Sequence, residues 1–116
     1  LLTVTSTALA APTAAALGIE YCIGSPLELA DGRYTGRLAG SYCGGAGKLE
    51  YIDRFLQERG WERTAASYWG DAAADIPVLA AVGFPVAANP VAALAKAAQE
   101  HGWPVVHFTA PVEARL

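Results

Sequence analysis

The sequence predicts an α/β protein with a parallel sheet, and two observations indicate this class. Short apolar runs with β-branched and aromatic residues alternate along the chain with Ala-rich or Leu-bearing stretches at helical spacing. This alternation is typical of βαβ units whose sheet is covered on both faces. The chain has 116 residues, of which 53% are apolar and 16% charged, so it suits one cored domain or the larger part of one.

The first half of the chain contains strand and helix signals followed by a hairpin signal. Strands are predicted at residues 1–5 and 21–23, and helices at residues 7–17 and 49–59. Gly18 and Gly60 follow the two helices and are natural C-terminal stops. Residues 27–38 form two extended runs around Asp31-Gly32, a dipeptide that suits a type I′ turn. We therefore expect a small β-hairpin in addition to the parallel sheet.

The second half continues the alternation. Strands are predicted at residues 65–69, 85–88 and 104–108, and helices through residues 78–82 and at residues 91–101. Pro77 restricts the start of the first of these helices to about one turn before residue 78, and Gly102 closes the second. In open α/β sheets the ligand crevice lies at the carboxyl ends of the strands. Three unusual stretches fall at such ends or at helix starts: Thr5-Ser6-Thr7, Gly70-Asp71 and Asn89-Pro90.

The composition excludes several classes of function. The net charge is −3, and the eight Lys and Arg residues are scattered, whereas nucleic-acid binding needs a clustered basic face. No apolar run reaches the roughly 18 to 20 residues of a membrane span, and the N-terminus lacks the basic start of a signal peptide. Cys22 and Cys43 have neither CxxC spacing nor a nearby His cluster. They are interpreted as free thiols of a reduced, cytoplasmic protein rather than as a disulfide.

Hydroxyl residues at the first strand-to-helix turn are a candidate anion site. Thr5, Ser6 and Thr7 offer side-chain hydroxyls and free backbone N–H groups where a helix carries its partial positive charge. The same residues would serve equally well as an N-cap. The sequence leaves both interpretations open.

A glycine-rich stretch before Lys48 suggests a phosphate loop, but it is not a Walker A motif. That motif requires glycine where Tyr42 stands and a hydroxyl residue where Leu49 stands. Lys48 nevertheless lies at the start of a predicted helix, where the dipole disfavours a cation. It is either a solvated surface lysine or a lysine that reaches an anionic ligand.

Two acids follow the strand that ends in Tyr68-Trp69. Asp71 comes directly after the strand, and Asp75 lies four residues on, where like charges on a forming helix repel each other. Hard oxygen ligands at such a strand end suit Mg²⁺, which takes one or two carboxylates and completes its shell with water and substrate phosphate. The alternative is that Asp75 is the N-cap of the helix that contains Pro77. His101 and His107 lie on separate elements without partner spacing, and neither is a site candidate.

Taken in order along the chain, these stretches resemble the haloacid dehalogenase superfamily of phosphatases, in its phosphoserine-phosphatase-like subgroup. TVTST, residues 3–7, matches the second motif of that superfamily, with Thr5 as its hydroxyl residue. Lys48 in GGAGK matches the third motif, and GDAAAD, residues 70–75, matches the GDxxxD form of the fourth. The hairpin stretch at residues 31–40 and the segment VGFPVAANP are also similar. The resemblance covers nearly the whole chain and implies a Rossmann-like three-layer αβα core.

The resemblance also implies roles for the candidate residues. Thr5, Ser6 and their N–H groups would hold phosphoryl oxygens, with Asn89 as a further phosphate-binding candidate. Lys48 would neutralise charge on the nucleophile and the phosphate. Asp71 would ligate Mg²⁺, and Asp75 would orient Lys48 or a metal-bound water at the same metal site. The implied cofactor is Mg²⁺, and the implied ligand is a small phosphorylated metabolite.

The sequence also departs from the family pattern. Its aspartates stand only at positions 31, 53, 71 and 75, so the DxDx[TV] motif that carries the nucleophile is not in it. Because the chain has no methionine and opens on a strand-like run, we expect residues 1–116 to be the C-terminal piece of a hydrolase core, with nucleophile and cap domain upstream. Ala74 stands where phosphoserine phosphatases tend to place a polar, substrate-contacting residue, which argues against phosphoserine.

These observations lead to one expectation and one alternative. The expectation is a Mg²⁺-dependent phosphomonoester hydrolase that works through a phosphoaspartate, whose residues 1–116 alone do not turn over. The alternative is a non-catalytic phosphate- or metal-binding module. A receiver domain is disfavoured because its paired acids precede the hydroxyl residue, whereas here they come last.

Overall fold

The structure is a computed structural model that describes residues 1–109. It contains seven strands in that range, namely β1 (Leu2–Ser6), β2 (Ile23–Ser25), β3 (Leu27–Ala30), β4 (Arg33–Leu38), β5 (Ser67–Gly70), β6 (Phe84–Ala88) and β7 (Val105–Val106). The helices in the same range are α1 (Thr7–Ala16), α2 (Ala46–Arg59), α3 (Ile76–Ala81) and α4 (Ala92–His101), with 3-10 turns at Arg63–Ala65 and Ala73–Asp75. The α/β class with parallel strands is confirmed. Among these helices none has the length and apolar character needed to cross a bilayer.

The chain divides into two compact units, Leu1–Gly60 and Trp61–Leu116. The first unit begins with a βαβ arrangement in which β1 and β2 are parallel neighbours, paired at Leu2 with Ile23 and at Ser6 with Ser25. The predicted second strand at residues 21–23 is therefore two residues too early. Its apolar residues drew the prediction, whereas the observed pairing depends on Gly24, where a Cβ would lie 2.5 Å from the carbonyl oxygen of Thr5.

The hairpin of β3 and β4 confirms the prediction for residues 27–38. The two strands are antiparallel, and Ala30 pairs with Arg33 across the turn. Asp31 and Gly32 both have positive φ, 50° and 74°, as a type I′ turn requires. The Thr35 hydroxyl donates a hydrogen bond of 2.6 Å to Glu28 on the opposite strand.

Helix α2 starts three residues earlier than predicted, at Ala46, and ends as predicted before Gly60, which is left-handed with φ 65°. Its last turn packs against the segment that precedes β2. The guanidinium of Arg59 lies 3.7 Å from the ring centroid of Phe55 and 4.6 Å from that of Tyr21. This cation–π arrangement fixes the end of α2 within the first unit.

The second unit is a three-stranded parallel sheet, in the order β5-β6-β7, with α3 and α4. Its buried core consists of Leu79, Ala87, Leu94 and Ala98, with Tyr68, Ile76 and Trp103 packed against it. Leu79 and Leu94 are fully buried, and burial of such a side chain stabilises by roughly 1.5–3 kcal/mol. The core therefore anchors β5, the strand that leads to Asp71.

Strand β7 covers only Val105–Val106, whereas residues 104–108 were predicted. The pairing of β7 with β6 ends at Asn89, which follows β6. The backbone N–H of Asn89 donates to the carbonyl of Val106 at 2.9 Å. Its side chain then binds the main chain of Phe108, accepting from the N–H at 2.9 Å and donating to the carbonyl at 3.2 Å. The side-chain amide of Asn89 therefore replaces the backbone hydrogen bonds that a longer β7 would make with β6.

Candidate active site

The end of β1 places Thr5 and Ser6 at the start of α1. Thr5 is exposed and Ser6 is half-buried. Ser6 occupies the N-cap position, with φ −59° and ψ 142°, but its side chain makes no capping hydrogen bond. The N-cap interpretation is therefore wrong for the Ser6 hydroxyl. The positive end of the α1 dipole lies beside two hydroxyl residues, an arrangement suited to an anion.

A single buried hydroxyl ties this strand to the glycine-rich loop. Ser25 is 4% exposed; its Oγ donates to the carbonyl of Val4 at 2.7 Å and accepts from the N–H of Cys43 at 3.2 Å. Because Val4 adjoins Thr5 and Cys43 begins the loop that leads to Lys48, one side chain fixes both within the first unit. Sequence reasoning missed Ser25; a hydroxyl beside a strand glycine was its only signal.

The glycine-rich loop turns sharply before α2. Gly45 has φ 53° and ψ −126°, a conformation that residues with a Cβ rarely adopt. At Gly47 a Cβ would overlap the carbonyl of Tyr42. The loop therefore needs glycine at both places, and it delivers Lys48 as the third residue of α2.

Lys48 is buried, with only 7% of its surface exposed, so the interpretation as a solvated surface lysine is wrong. Its charge acts on the neighbouring Cys43. Burial raises the pKa of the Cys43 thiol, and the positive charge of Lys48 and a hydrogen bond with the Thr3 main chain oppose that rise. Both cysteines are free, as predicted. A cation in the first turn of a helix opposes the helix dipole, and this favours a functional interpretation of Lys48.

In the second unit, Asp75 folds back onto the end of β5. It is 3% exposed, and its Oδ2 accepts hydrogen bonds from the N–H groups of Asp71 at 3.2 Å and Ala72 at 3.1 Å. The Tyr68 hydroxyl donates to its Oδ1 at 3.0 Å. Asp75 occupies the N-cap position of α3, as the alternative predicted, but its side chain makes no capping bond to that helix and binds the end of β5 instead. The expected repulsion along one helix face is wrong, because Asp71 lies outside the helix and its N–H binds Asp75.

The backbone of Asp71 is held from both sides while its side chain is exposed. Its N–H binds Asp75, and its carbonyl accepts from the N–H of Val91 at 2.9 Å. Gly70 makes this possible, since a Cβ there would lie 2.7 Å from the Cβ and 2.9 Å from Oδ2 of Asp75. Asp71 itself is exposed at the carboxyl end of β5. A carboxylate with a fixed main chain at a strand end is suited to bind a cation or to accept a proton.

The remaining candidates have structural contacts. Both ends of the Asn89 amide bind the main chain of Phe108, so phosphate binding by Asn89 stays a prediction that would require those bonds to be shared. His101 stacks on Trp103, with ring centroids 4.6 Å apart and planes at 11°. This contact agrees with the structural interpretation of that histidine.

Asp71 and Asp75 could supply only some of the ligands of a Mg²⁺ ion. Within residues 1–109, no group of three or more His, Cys, Asp or Glu side chains could hold a metal ion. Mg²⁺ commonly uses one or two protein carboxylates and fills its shell with water and phosphate oxygens. The exposed carboxylate of Asp71 fits such a ligand, and the buried Asp75 fits the group that orients it. Metal binding by either acid remains a prediction.

Comparison with known proteins points to one family. The model of the haloacid dehalogenase-like hydrolases matches residues 1–80. A histidinol-phosphatase of Neisseria meningitidis is 42% identical over 103 residues, which is 84% of this chain and 46% of that protein. A phosphoserine phosphatase of Mycobacterium tuberculosis is 36% identical over 108 residues, which is 93% of this chain and 35% of that protein.

Solved structures agree with this assignment. A protein of unknown function from Bordetella pertussis has a TM-score of 0.85 and 36% identity, with 91% of this chain and 49% of that one covered. A probable phosphoserine phosphatase from Vibrio cholerae has a TM-score of 0.71 at 24% identity, with coverages of 90% and 31%, and supports the fold alone. The chain thus spans less than half the length of each of these four proteins.

Proposed function

The chain belongs to the haloacid dehalogenase-like hydrolase family, and from this we propose that it forms part of a Mg²⁺-dependent phosphomonoester hydrolase. The substrate would be a small phosphorylated metabolite, and the reaction would pass through a phosphoaspartate. The observation that carries the proposal is Asp71, an exposed carboxylate at the end of a parallel strand whose main chain is fixed by Asp75 and Val91.

The chemistry needs such a fixed carboxylate. Phosphoryl transfer is mostly positioning and charge stabilisation, and groups that are already oriented lose little free energy to reorganisation at the transition state. Mg²⁺, when bound, would neutralise charge on the phosphoryl oxygens. Asp71 would hold it, and Asp75 would keep Asp71 in place through the strand-end main chain.

The first unit would supply phosphate-binding groups. Lys48 is a buried ammonium, and in a low-dielectric setting such a charge interacts strongly with an anion. Thr5, Ser6 and the first turn of α1 offer donors at the positive end of a helix. In this proposal Lys48 offsets the charge that develops on the phosphoryl group, and the hydroxyl residues orient its oxygens.

The nucleophile would come from outside these 116 residues. Their four aspartates, at positions 31, 53, 71 and 75, contain no DxD pair, and the family resemblance places the aspartate nucleophile of a phosphoaspartate mechanism in that motif. The proposal therefore concerns a full-length protein that carries it. A full-length protein without it would be the non-catalytic binding module.

The names of the relatives suggest two substrates for testing. The histidinol-phosphatase is more similar to this chain, at 42% identity, than the phosphoserine phosphatase of M. tuberculosis, at 36%. Ala74 also places a methyl group where a polar contact to phosphoserine would be expected. We therefore propose histidinol phosphate as the first substrate to assay and O-phosphoserine as the second.

The test is the Mg²⁺-dependent release of phosphate by the full-length protein and its variants. Asp71→Asn keeps the shape but removes the charge, so it is expected to lower kcat by at least about 10²-fold. Asp75→Asn is expected to cost less, because it acts through the main chain of Asp71. Asp31→Asn is the matched control, since Asn suits the type I′ turn of the hairpin equally well.

Three outcomes separate the possibilities. Loss in Asp71→Asn with full activity in Asp31→Asn supports the proposal. Parental activity in both Asp71→Asn and Asp75→Asn would reduce the two acids to structural residues. Mg²⁺ or phosphate binding without hydrolysis of any phosphomonoester in a panel would favour the non-catalytic module.

A further inference from the structure

The hydroxyl of Tyr68 binds the carboxylate that holds the main chain of Asp71. It donates to Oδ1 of Asp75 at 3.0 Å, whereas the N–H groups of Asp71 and Ala72 bind Oδ2. The two oxygens of one buried carboxylate therefore meet different partners. From this arrangement we infer that Tyr68 is a positioning residue for the metal ligand Asp71. The inference rests on the proposed function, in which Asp71 binds Mg²⁺.

The torsion that Tyr68 fixes is a soft one. Rotation of an Asp carboxylate about χ2 has a broad, roughly two-fold profile, so the side chain alone does not choose an orientation. The two carboxylate oxygens are equivalent, so the Tyr68 hydroxyl on one of them fixes the plane of the group, and in that plane the other oxygen faces the two N–H groups. Hydrogen bonds to an ionised carboxylate are also stronger than those between neutral groups, and the low exposure of Asp75, 3%, shields them from water.

The orientation is passed to Asp71 through its main chain. Oδ2 of Asp75 holds the N–H of Asp71, and the N–H of Val91 holds its carbonyl. If the carboxylate of Asp75 rotates, the first of these restraints weakens, and the direction of the Asp71 side chain is less well defined. The effect of Tyr68 on a bound ion is therefore indirect and geometric.

Tyr68 is well placed to act as a fixed donor. Its ring packs against the core formed by Leu79, Ala87, Leu94 and Ala98, so the hydroxyl is carried on a side chain with little freedom. Phe in its place would keep the ring packing and remove only the donor. This makes Tyr68→Phe a clean variant for the hydroxyl.

The choice of ion gives a readout that a merely structural role would not move. Mg²⁺ demands near-ideal octahedral geometry, whereas Ca²⁺ accepts irregular and variable coordination. A small error in the direction of Asp71 should therefore weaken Mg²⁺ binding more than Ca²⁺ binding. Loss of a group that orients a metal ligand typically costs 10- to 100-fold in affinity or activity.

The experiment is calorimetric titration of the full-length protein with MgCl₂ and, separately, with CaCl₂, together with the melting temperature without metal. For Tyr68→Phe we expect Mg²⁺ affinity to fall by about 10-fold, with a clearly smaller loss for Ca²⁺. Tyr34→Phe is the matched control, because Tyr34 is 59% exposed on β4 of the hairpin. It should leave both affinities unchanged.

A double-mutant cycle tests whether Tyr68 acts through Asp75. If it does, the Mg²⁺ affinity of Tyr68→Phe/Asp75→Asn should be close to that of Asp75→Asn alone, since the second change has nothing left to remove. Independent, multiplying losses would show that Tyr68 acts in some other way and would overturn the inference.

The remaining outcomes distinguish this inference from the proposed function. Equal losses for Mg²⁺ and Ca²⁺, or a lower melting temperature with unchanged affinities, would leave Tyr68 a structural residue and overturn the inference, while Asp71→Asn could still abolish Mg²⁺ binding. If the parent binds no Mg²⁺, or Asp71→Asn binds it normally, the proposed metal site fails and the inference with it. If Tyr68→Phe does not fold, Tyr68→Leu, which also fills an apolar position and has no hydroxyl, replaces it with the same expected losses and the same overturning outcomes.

Discussion

Lys48 combines features that seldom occur together in one residue. It is a cation in the first turn of α2, where the dipole is unfavourable, and it is 7% exposed, where desolvation is unfavourable as well. Neither feature serves the stability of a helix. An anion bound beside Lys48 would interact with its charge more strongly than in water, because the side chain is shielded from solvent.

The charge of Lys48 can be removed with little change in the size of the side chain. If the proposed function holds, Lys48→Gln in the full-length protein should lower kcat by about 10²–10³-fold, the usual effect of removing one electrostatic donor from a closed site. Lys48→Arg should restore little, because a planar guanidinium does not replace a compact ammonium. Phosphate release at saturating substrate measures both variants.

The chain offers a matched control in its other lysine. Lys96 lies on α4 with 78% of its side chain exposed, 3.9 Å from Glu100, and an exposed pair of this kind contributes little to stability. Lys96→Gln should therefore leave kcat and the melting temperature near parental values. Equal activity of the Lys48 and Lys96 variants would reassign Lys48 to a structural role.

At the scale of elements, the turn from β5 to α3 depends on one glycine. Gly70→Ala would place a methyl group against the carboxylate of Asp75, and we expect this crowding to cost about 1–3 kcal/mol of unfolding free energy. It should also weaken Mg²⁺ binding, because Asp75 must move away from the N–H of Asp71. Thermal unfolding and metal titration measure the two effects separately.

Gly18→Ala is the control for that substitution. Gly18 has φ 68°, and a methyl group there would meet no atom within 4 Å, so alanine should cost about 1–2 kcal/mol from backbone strain alone. It should leave metal affinity unchanged. A Gly70 variant that loses stability but binds Mg²⁺ as tightly as the Gly18 variant would contradict the role assigned to the turn.

Element types were largely predictable from the sequence, whereas their limits depended on tertiary contacts. Glycine in the left-handed conformation marked the ends of α1, α2 and α4 correctly, because that signal is local. The position of β2 was not predictable, since it depends on the close approach of Gly24 to β1. The short β7 has a similar cause, because the side chain of Asn89 replaces the expected continuation of the strand.

The candidate site was predictable in its residue types and not in its hydrogen bonds. Thr5, Lys48 and Asp71 were identified from motif order and strand ends, and their roles stay predictions. The fold-back of Asp75, and the links made by Ser25 and Tyr68, involve partners that no spacing rule specifies. Such contacts arise from tertiary packing, which brings together residues that no sequence spacing relates.

Phosphate release by the protein should depend on a nucleophile that residues 1–116 do not contain. Because residues 1–116 contain no DxD pair, we expect this stretch, produced alone, to release no phosphate from a chromogenic phosphate ester with Mg²⁺. The full-length protein should do so if an aspartate motif is present elsewhere in it. Turnover by residues 1–116 that is lost on adding a chelator would show that the nucleophile has been misassigned.

The hydrogen bonds between the Asn89 side chain and the Phe108 main chain also bear on the deamidation of the protein. Asparagine commonly deamidates when the next residue's backbone nitrogen attacks the side-chain amide and closes a five-membered imide, a route that needs an N–H. Asn89 is the only asparagine in the sequence, and proline follows it, so this nitrogen has no hydrogen to lose. The amide that completes the sheet edge at Phe108 is thereby protected from the commonest spontaneous damage to its kind, and that edge should keep its chemistry through prolonged storage.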